Sequence, residues 1–196
     1  MSRVYSRHLS PWLFDGSNTD VADDFLTAVT LRGTASLISI GPVAAKGTAD
    51  VHALYDSTTA AFPGPFTNPD VPRNLRVVKS ALWDGGTVTV VGTDQFDAAQ
   101  SETFNSTAET TVGTRIFKTV TGATKGTPSG VSGIGASIGT GDILGIASGR
   151  LSDSVGVGFV GGTGEAVTLD TTLNTATFTT TPAATTFKLL ANLGPV

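Results

Sequence analysis

Several stretches of this chain hold the residue types that chemistry needs, and each lacks a partner. Gly135-Ala136-Ser137-Ile138-Gly139 matches G-x-S-x-G, the sharp turn that lifts a nucleophilic serine beside a base. That arrangement needs an acid and then a histidine after the serine, whereas His8 and His52 both precede Ser137. No helical pattern follows, so a glycine-rich β loop is the better reading. Gly156-Val157-Gly158-Phe159-Val160-Gly161 matches G-x-G-x-x-G, which holds a pyrophosphate only where a helix begins next. The following GTGEAVTLDTTL reads as turn then strand. These glycines are expected to let a strand kink or a neighbouring backbone approach. Two histidines cannot supply a three-histidine zinc site, and no H-E-x-x-H occurs. His52, in a strand-like run, reads as a partly buried polar residue. Asp94 and Asp97 share a loop, and Asp20, Asp23 and Asp24 cluster earlier. Oxygen-only calcium sites use such residues, but the spacing is not that of an EF-hand, and solvated loop carboxylates are the default. A pair drawn from Asp94, Asp97 and Glu102 would suit glycoside hydrolysis, yet few aromatics lie near to stack a sugar. Asn105-Ser106-Thr107 is a glycosylation sequon by pattern alone. No catalytic residue, cofactor or metal is assigned, and the expectation is a protein that is not an enzyme.

Composition agrees with a scaffold of short strands. The chain has 196 residues, 39% hydrophobic and 14% charged, with 24 glycines and one methionine. Such a length is enough for a sizeable core, and the mix disfavours long helices. The net charge is -4 and no run of Lys or Arg stands out, so the phosphate-neutralising footprint of a nucleic-acid binder is missing. With no cysteine, disulfides and thiolate metal sites are excluded. No apolar run approaches the about 18 residues of a membrane span. The first residues lack the continuous apolar stretch of a signal peptide, so a protein made in the cytosol is expected.

Three regions follow from the pattern. Residues 1–33 read as an extended arm. Val4, Tyr5, Leu9, Trp12, Leu13 and Phe14 alternate there with Arg3, Arg7 and His8, and Val21, Phe25, Ala28 and Val29 fall at the spacing of a short helix. The arm carries too much apolar surface to stay free; its own domain or a neighbouring subunit would cover it. Residues 34–72 hold short strands, Ala35–Ile40 (ended by Gly41-Pro42) and Thr48–Leu54, then a linker with Pro63, Pro65, Pro69 and Pro72, pinned by Phe62 and Phe66. Residues 73–196 read as the main sheet domain. Its first strand, Arg73–Leu82, puts Leu75 and Val77 on one face, Arg76 and Val78 on the other. Asp84-Gly85-Gly86 is a hairpin turn signal; Trp83 beside it is a core edge or an interface anchor. Thr87–Val91 and Gln100–Ser106 alternate about a loop. Thr114–Thr124 is the longest strand expected, with Ile116, Lys118 and Val120 opposite Arg115, Phe117 and Thr119. Its two mixed faces suit a strand whose outer side, with Arg115 and Phe117, meets another chain. After the glycine-rich 125–141 come the short strands Asp142–Ala147, Ser154–Val160, Glu165–Leu169, Ala176–Thr180 and Thr186–Leu193. Together they predict an all-β fold: an antiparallel β-sandwich or jelly roll with an extended N-terminal arm.

A resemblance adds to this reading. Pro69–Asn74 forms P-x-x-P-R-N, Val88–Asp94 reads V-T-V-x-G-T-D, Ser101–Thr103 reads S-E-T, and Gly113–Thr121 reads G-T-x-x-F-K-T-V-T. In that order these motifs resemble a group of tailed-bacteriophage virion proteins, similar to capsid decoration or cement proteins. Thr175–Thr180 followed by Thr185–Ala191 looks like that group's closing hairpin. The resemblance implies a β-rich homo-oligomer, trimeric for preference, on the outer capsid surface, with the major capsid protein as partner. It implies assembly in the bacterial host cytoplasm, and neither nucleic acid nor membrane as ligand. It names no catalytic residues. The long arm departs from the group and leaves a tail or neck station open.

The leading expectation is therefore a structural virion protein that bridges coat subunits, with Arg3, Tyr5, Trp12, Phe14, Trp83, Arg115 and Phe117 as candidate interface. The alternative is a tail or outer-capsid β-sandwich that binds host-surface carbohydrate through an aromatic patch including Trp83 and Tyr55. A third reading is a glycan hydrolase using Asp94, Asp97 or Glu102.

Overall fold

The computed structural model describes residues 35–47, 51, 62, 64–79, 86–105, 110–126, 135–182 and 185–194. The expected arm, the Asp84-Gly85 turn and most of Thr48–Leu54 lie outside the described residues. All secondary structure that is described is β. In chain order the strands are β1 (Ala35–Val43), β2 (Arg73–Lys79), β3 (Val88–Thr93), β4 (Ala99–Phe104), β5 (Thr110–Phe117) and β6 (Thr119–Lys125). Then follow β7 (Ala136–Gly145), β8 (Arg150–Val160), β9 (Thr163–Glu165), β10 (Val167–Asp170), β11 (Thr175–Phe178) and β12 (Thr185–Gly194).

These strands form three antiparallel sheets: a four-stranded β1-β12-β8-β9, a five-stranded β10-β11-β7-β2-β5 and a three-stranded β4-β3-β6. Two cores separate them. Leu75 and Val77 of β2, Val88 and Val90 of β3, Phe104, Phe117, Val120 and Ile138 make the first, between the five- and three-stranded sheets. Ile38 and Val43 of β1, Leu144 of β7, Leu169, Phe178, Phe187 and Leu189 make the second, between the five- and four-stranded sheets. Each such side chain, removed from water, contributes roughly 1.5–3 kcal/mol. Strand β7 serves both cores, Ile138 in one and Leu144 in the other. The antiparallel sandwich expected from the sequence is thus present, with its central sheet shared by two partners.

The two faces of β2 fall as the alternation demands: Leu75 and Val77 are fully buried, Arg76 and Val78 half-buried. Phe62 and Phe66 do anchor the proline-rich stretch, against the first core.

Five expectations are corrected. Strand β1 does not stop at Gly41-Pro42 but continues through a bulge between Ser39 and Gly41 to Val43. Among the described strands it lies at the edge of its sheet, a position that tolerates proline. Strand β1, expected in a region before the main sheet domain, pairs with β12 of that domain. The expected 114–124 strand is two strands. At Lys118 the backbone N–H leaves the five-stranded sheet and donates to Thr93 O at 2.9 Å, so β5 pairs with β2 and β6 with β3. Strands β2 and β3, expected as a hairpin, lie in different sheets. The C-terminal pair is no hairpin either, since β11 pairs with β10 and β7 while β12 pairs with β1 and β8.

Buried polar groups lock these junctions. The fully buried Arg73 donates from Nε to Gly141 O and from Nη1 to Ala44 O (3.0 Å) and Asp70 Oδ1 (3.1 Å). Asp70 Oδ2 in turn accepts from Ala44 N–H at 2.6 Å. Both backbone groups of Ala44 are thereby fixed, which ties the end of β1 to β2 and β7. Asn174, at φ 57, closes the β7–β8 connection. Its Oδ1 accepts from Leu151 N–H, and its Nδ2 donates to Ile146 O and Gly149 O.

Candidate functional site

Among the described residues, Asp94 and Glu102 are occupied with the backbone and Asp97 with a lysine, while Asp20, Asp23 and Asp24 lie outside the described residues. Asp94 Oδ1 accepts from Phe96 N–H and Ala98 N–H and shapes the β3–β4 loop, in which Asp97 takes a positive φ of 66. Asp97 pairs with Lys118 Nζ at 2.7 Å, both side chains exposed. Glu102 Oε1 accepts from Thr114 N–H at 2.8 Å and Arg115 N–H at 3.3 Å. Beside it Gln100 Nε2 donates to Ile116 O. Two side chains of edge strand β4 thus bond the edge of β5 as another strand's backbone would. The three carboxylates do not converge on one point. Ser137 lies within β7, paired to Val78 of β2, rather than at an elbow. Gly156 and Gly158 lie within β8, where a Cβ would meet Leu169 at 2.8 Å and the Phe178 ring at 2.7 Å. These glycines seat side chains of the facing sheet, not phosphates. Gly161 and Gly162, at φ 59 and 93, make the two-residue turn into β9 that favours glycine. Among the described residues no group of three or more His, Asp or Glu could hold a metal ion.

Of the interface candidates, Arg3, Tyr5, Trp12, Phe14 and Trp83 lie outside the described residues, as do His8, His52 and Tyr55. Arg115 is exposed on β5. Phe117 is corrected: it is fully buried in the first core. Ile116 and Phe117 are both buried, Phe117 in the first core and Ile116 outside it against Gly145 of β7, so both faces of β5 are covered at this point.

What the sequence reading did not assemble is the outer face of the three-stranded sheet. The inward residues of β3 are Val88 and Val90, so Thr89, Val91 and Thr93 face out. In register, Thr89 stands between Thr103 and Thr124, Val91 between Ser101 and Gly122, and Thr93 between Ala99 and Thr119. None of these nine residues is charged. Val91 is 41% exposed. Thr89 and Thr103 share a hydroxyl hydrogen bond of 2.9 Å, and Thr93 and Thr119 one of 2.7 Å. Hydroxyls already bonded to each other demand less of water, so this face costs less to desolvate than its composition suggests. The Lys118–Asp97 pair borders the Thr93 end, next to the β3–β4 loop. The signal was present in the alternation of Thr87, Thr89 and Val91 and of Ser101 and Thr103; only the register shows that they form one grid.

No family model, curated protein or solved structure matches this chain.

Proposed function

We propose that this protein is a non-enzymatic structural component of a virion, which binds the outer capsid surface and stabilises the shell by bridging coat subunits. The observation that carries this reading is the charge-free face built on Thr89, Val91 and Thr103. Interface centres are depleted in charge, and a grid of strands about 4.8 Å apart gives a broad plane rather than a cleft. Three by three positions cover roughly 300 Å², well below the ~800 Å² per partner of a stable pairwise complex. Such a contact holds when many copies, or a trimer of this chain, engage a repeating surface together. The motif resemblance between Pro69 and Thr121 points to the same role and supplies the partner, the major capsid protein. The use of Asp94, Asp97 and Glu102 as backbone and ion-pair partners leaves the hydrolase reading without a feature in its favour.

The test is co-sedimentation of the purified protein with filled capsids. The expected outcome is saturable binding at a fixed ratio to the coat protein. Absence of the protein from the particle fraction at saturating concentration would contradict the proposal.

A further inference from the structure

Three segments from three different sheets meet at one end of the sandwich, and two buried polar side chains lock them together. Gln95, in the β3–β4 loop, is 8% exposed. It donates from Nε2 to Leu173 O, in the β10–β11 turn, at 3.1 Å. Asn174, 2% exposed, holds the residues on both sides of Arg150, the first residue of β8. Its Nδ2 donates to Gly149 O and its Oδ1 accepts from Leu151 N–H. Arg150 completes the junction, with its guanidinium carbon 5.1 Å from the centre of the Phe96 ring. Arg150 is exposed, Leu173 is 42% exposed and Phe96 is half-buried. Their backbones are fixed from beneath, so little ordering remains to be done when a partner arrives.

Arginine and aromatic residues are the types that carry much of the binding energy at interfaces. Among the described residues Arg150 makes no ion pair. The acids of this end have other partners. Asp94 Oδ1 accepts from Phe96 and Ala98 N–H, Asp170 Oδ1 accepts from Thr172 and Leu173 N–H, and Asp97 pairs with Lys118. A guanidinium lying over a ring keeps its N–H edge available to a planar carboxylate.

We propose that this junction is a second contact surface, and that it takes a carboxylate flanked by an apolar side chain on a coat subunit. The inference rests on the reading of the protein as a bridge between coat subunits. A bridge needs two attachments. The plane around Val91 is a face of one sheet, whereas the junction is built from strand ends of three. A face and an end point in different directions, so a partner lying flat on the plane leaves the junction to a neighbouring subunit. The plane alone falls short of the ~800 Å² per partner of a stable pairwise contact, and a second attachment on the same particle makes up the deficit.

Arg150→Glu and Leu173→Ser in the full-length protein test the surface. Both side chains are exposed, so the unfolding midpoint is expected to stay at the parent's; should Arg150→Glu unfold early, Leu173→Ser carries the comparison. The folded variants are expected to sediment with filled capsids through the plane, but to need at least about fivefold more protein for half-saturation and to protect the particles less against heat. Half-saturation and protection equal to the parent's would overturn the inference and leave the bridging reading in place. A parent protein that never sediments with capsids would overturn both together. Arg150→Lys, followed by carbodiimide coupling on particles, tests the chemistry. A crosslink from position 150 to a coat-protein carboxylate is expected. A crosslink to a second copy of this chain, or none from that position, would overturn the assigned partner.

Discussion

Glu102 shows how one residue can be mistaken for chemistry. Its carboxylate, acidic and near two aspartates in sequence, holds Thr114 and Arg115 N–H and leaves no room beside Gly113. A Cβ on Gly113 would come within 2.7 Å of the Glu102 carboxyl carbon. Gly113→Ala is therefore expected to destabilise by roughly 1–3 kcal/mol. In a Glu102→Ala background the same substitution should cost clearly less, a non-additivity of the kind contacting residues show. Urea denaturation of the four proteins reads this out; equal costs in both backgrounds would refute the contact. Lys79, at the end of β2 and 2% exposed, is the other residue whose environment has a consequence. Burial pushes its ammonium below the ordinary lysine value of 10.5. Between the lowered value and the ordinary one the unfolded chain binds more protons than the folded chain, so stability rises with pH across that window. Below it the cost of burying the charge is felt in full. Lys79→Met is expected to flatten that alkaline rise relative to the parent protein, as measured by denaturation midpoints at about pH 8 and about pH 10.

At the scale of elements, the legible part of the fold was the part governed by alternation. The two faces of β2 and the β3–β4 alternation around a loop could be read because a strand repeats every two residues. What could not be read was which sheet each strand joins. Nothing local in Phe117-Lys118-Thr119 announces that the chain changes sheets there; the cause is a distant acceptor, Thr93 O. The same holds for Phe117, assigned to a surface because it alternates with Arg115 and Thr119, whereas the three-stranded sheet packs over it. The glycines of β8 were rightly read as allowing close approach: Leu169 and Phe178 of the facing sheet press on Gly156 and Gly158, and the Leu190 backbone oxygen also lies close to Gly156. Gly158→Ala should push the Phe178 ring aside and cost roughly 1–3 kcal/mol. Adding Phe178→Leu should recover part of the overpacking, since a smaller side chain no longer occupies the glycine's place. A thermal-unfolding series of the two single variants and the double variant checks this, and a fully additive result would remove the seat from the account.

At the scale of the whole molecule, three sheets around two cores leave outer faces of different character. The outer face of the four-stranded sheet carries the larger apolar side chains Leu37, Leu190, Val157 and Phe159, while that of the three-stranded sheet is a plane of threonine, serine and valine. None of this was visible as surface in the sequence, because a face is assembled from strands that are distant along the chain. Composition did indicate that such faces would be poor in charge, since charged residues are only 14% of the chain. The proposed role rests on the plane around Val91, and a single charge placed there is the sharpest probe of it. Val91 is exposed, so Val91→Lys should change stability by no more than about 0.5 kcal/mol, while placing an ammonium at the centre of the docking plane. The deciding measurement is co-sedimentation of folded Val91→Lys protein with filled capsids beside the parent protein. The account predicts that the variant's saturable binding falls at least tenfold while its unfolding midpoint is unchanged; binding equal to that of the parent would contradict it.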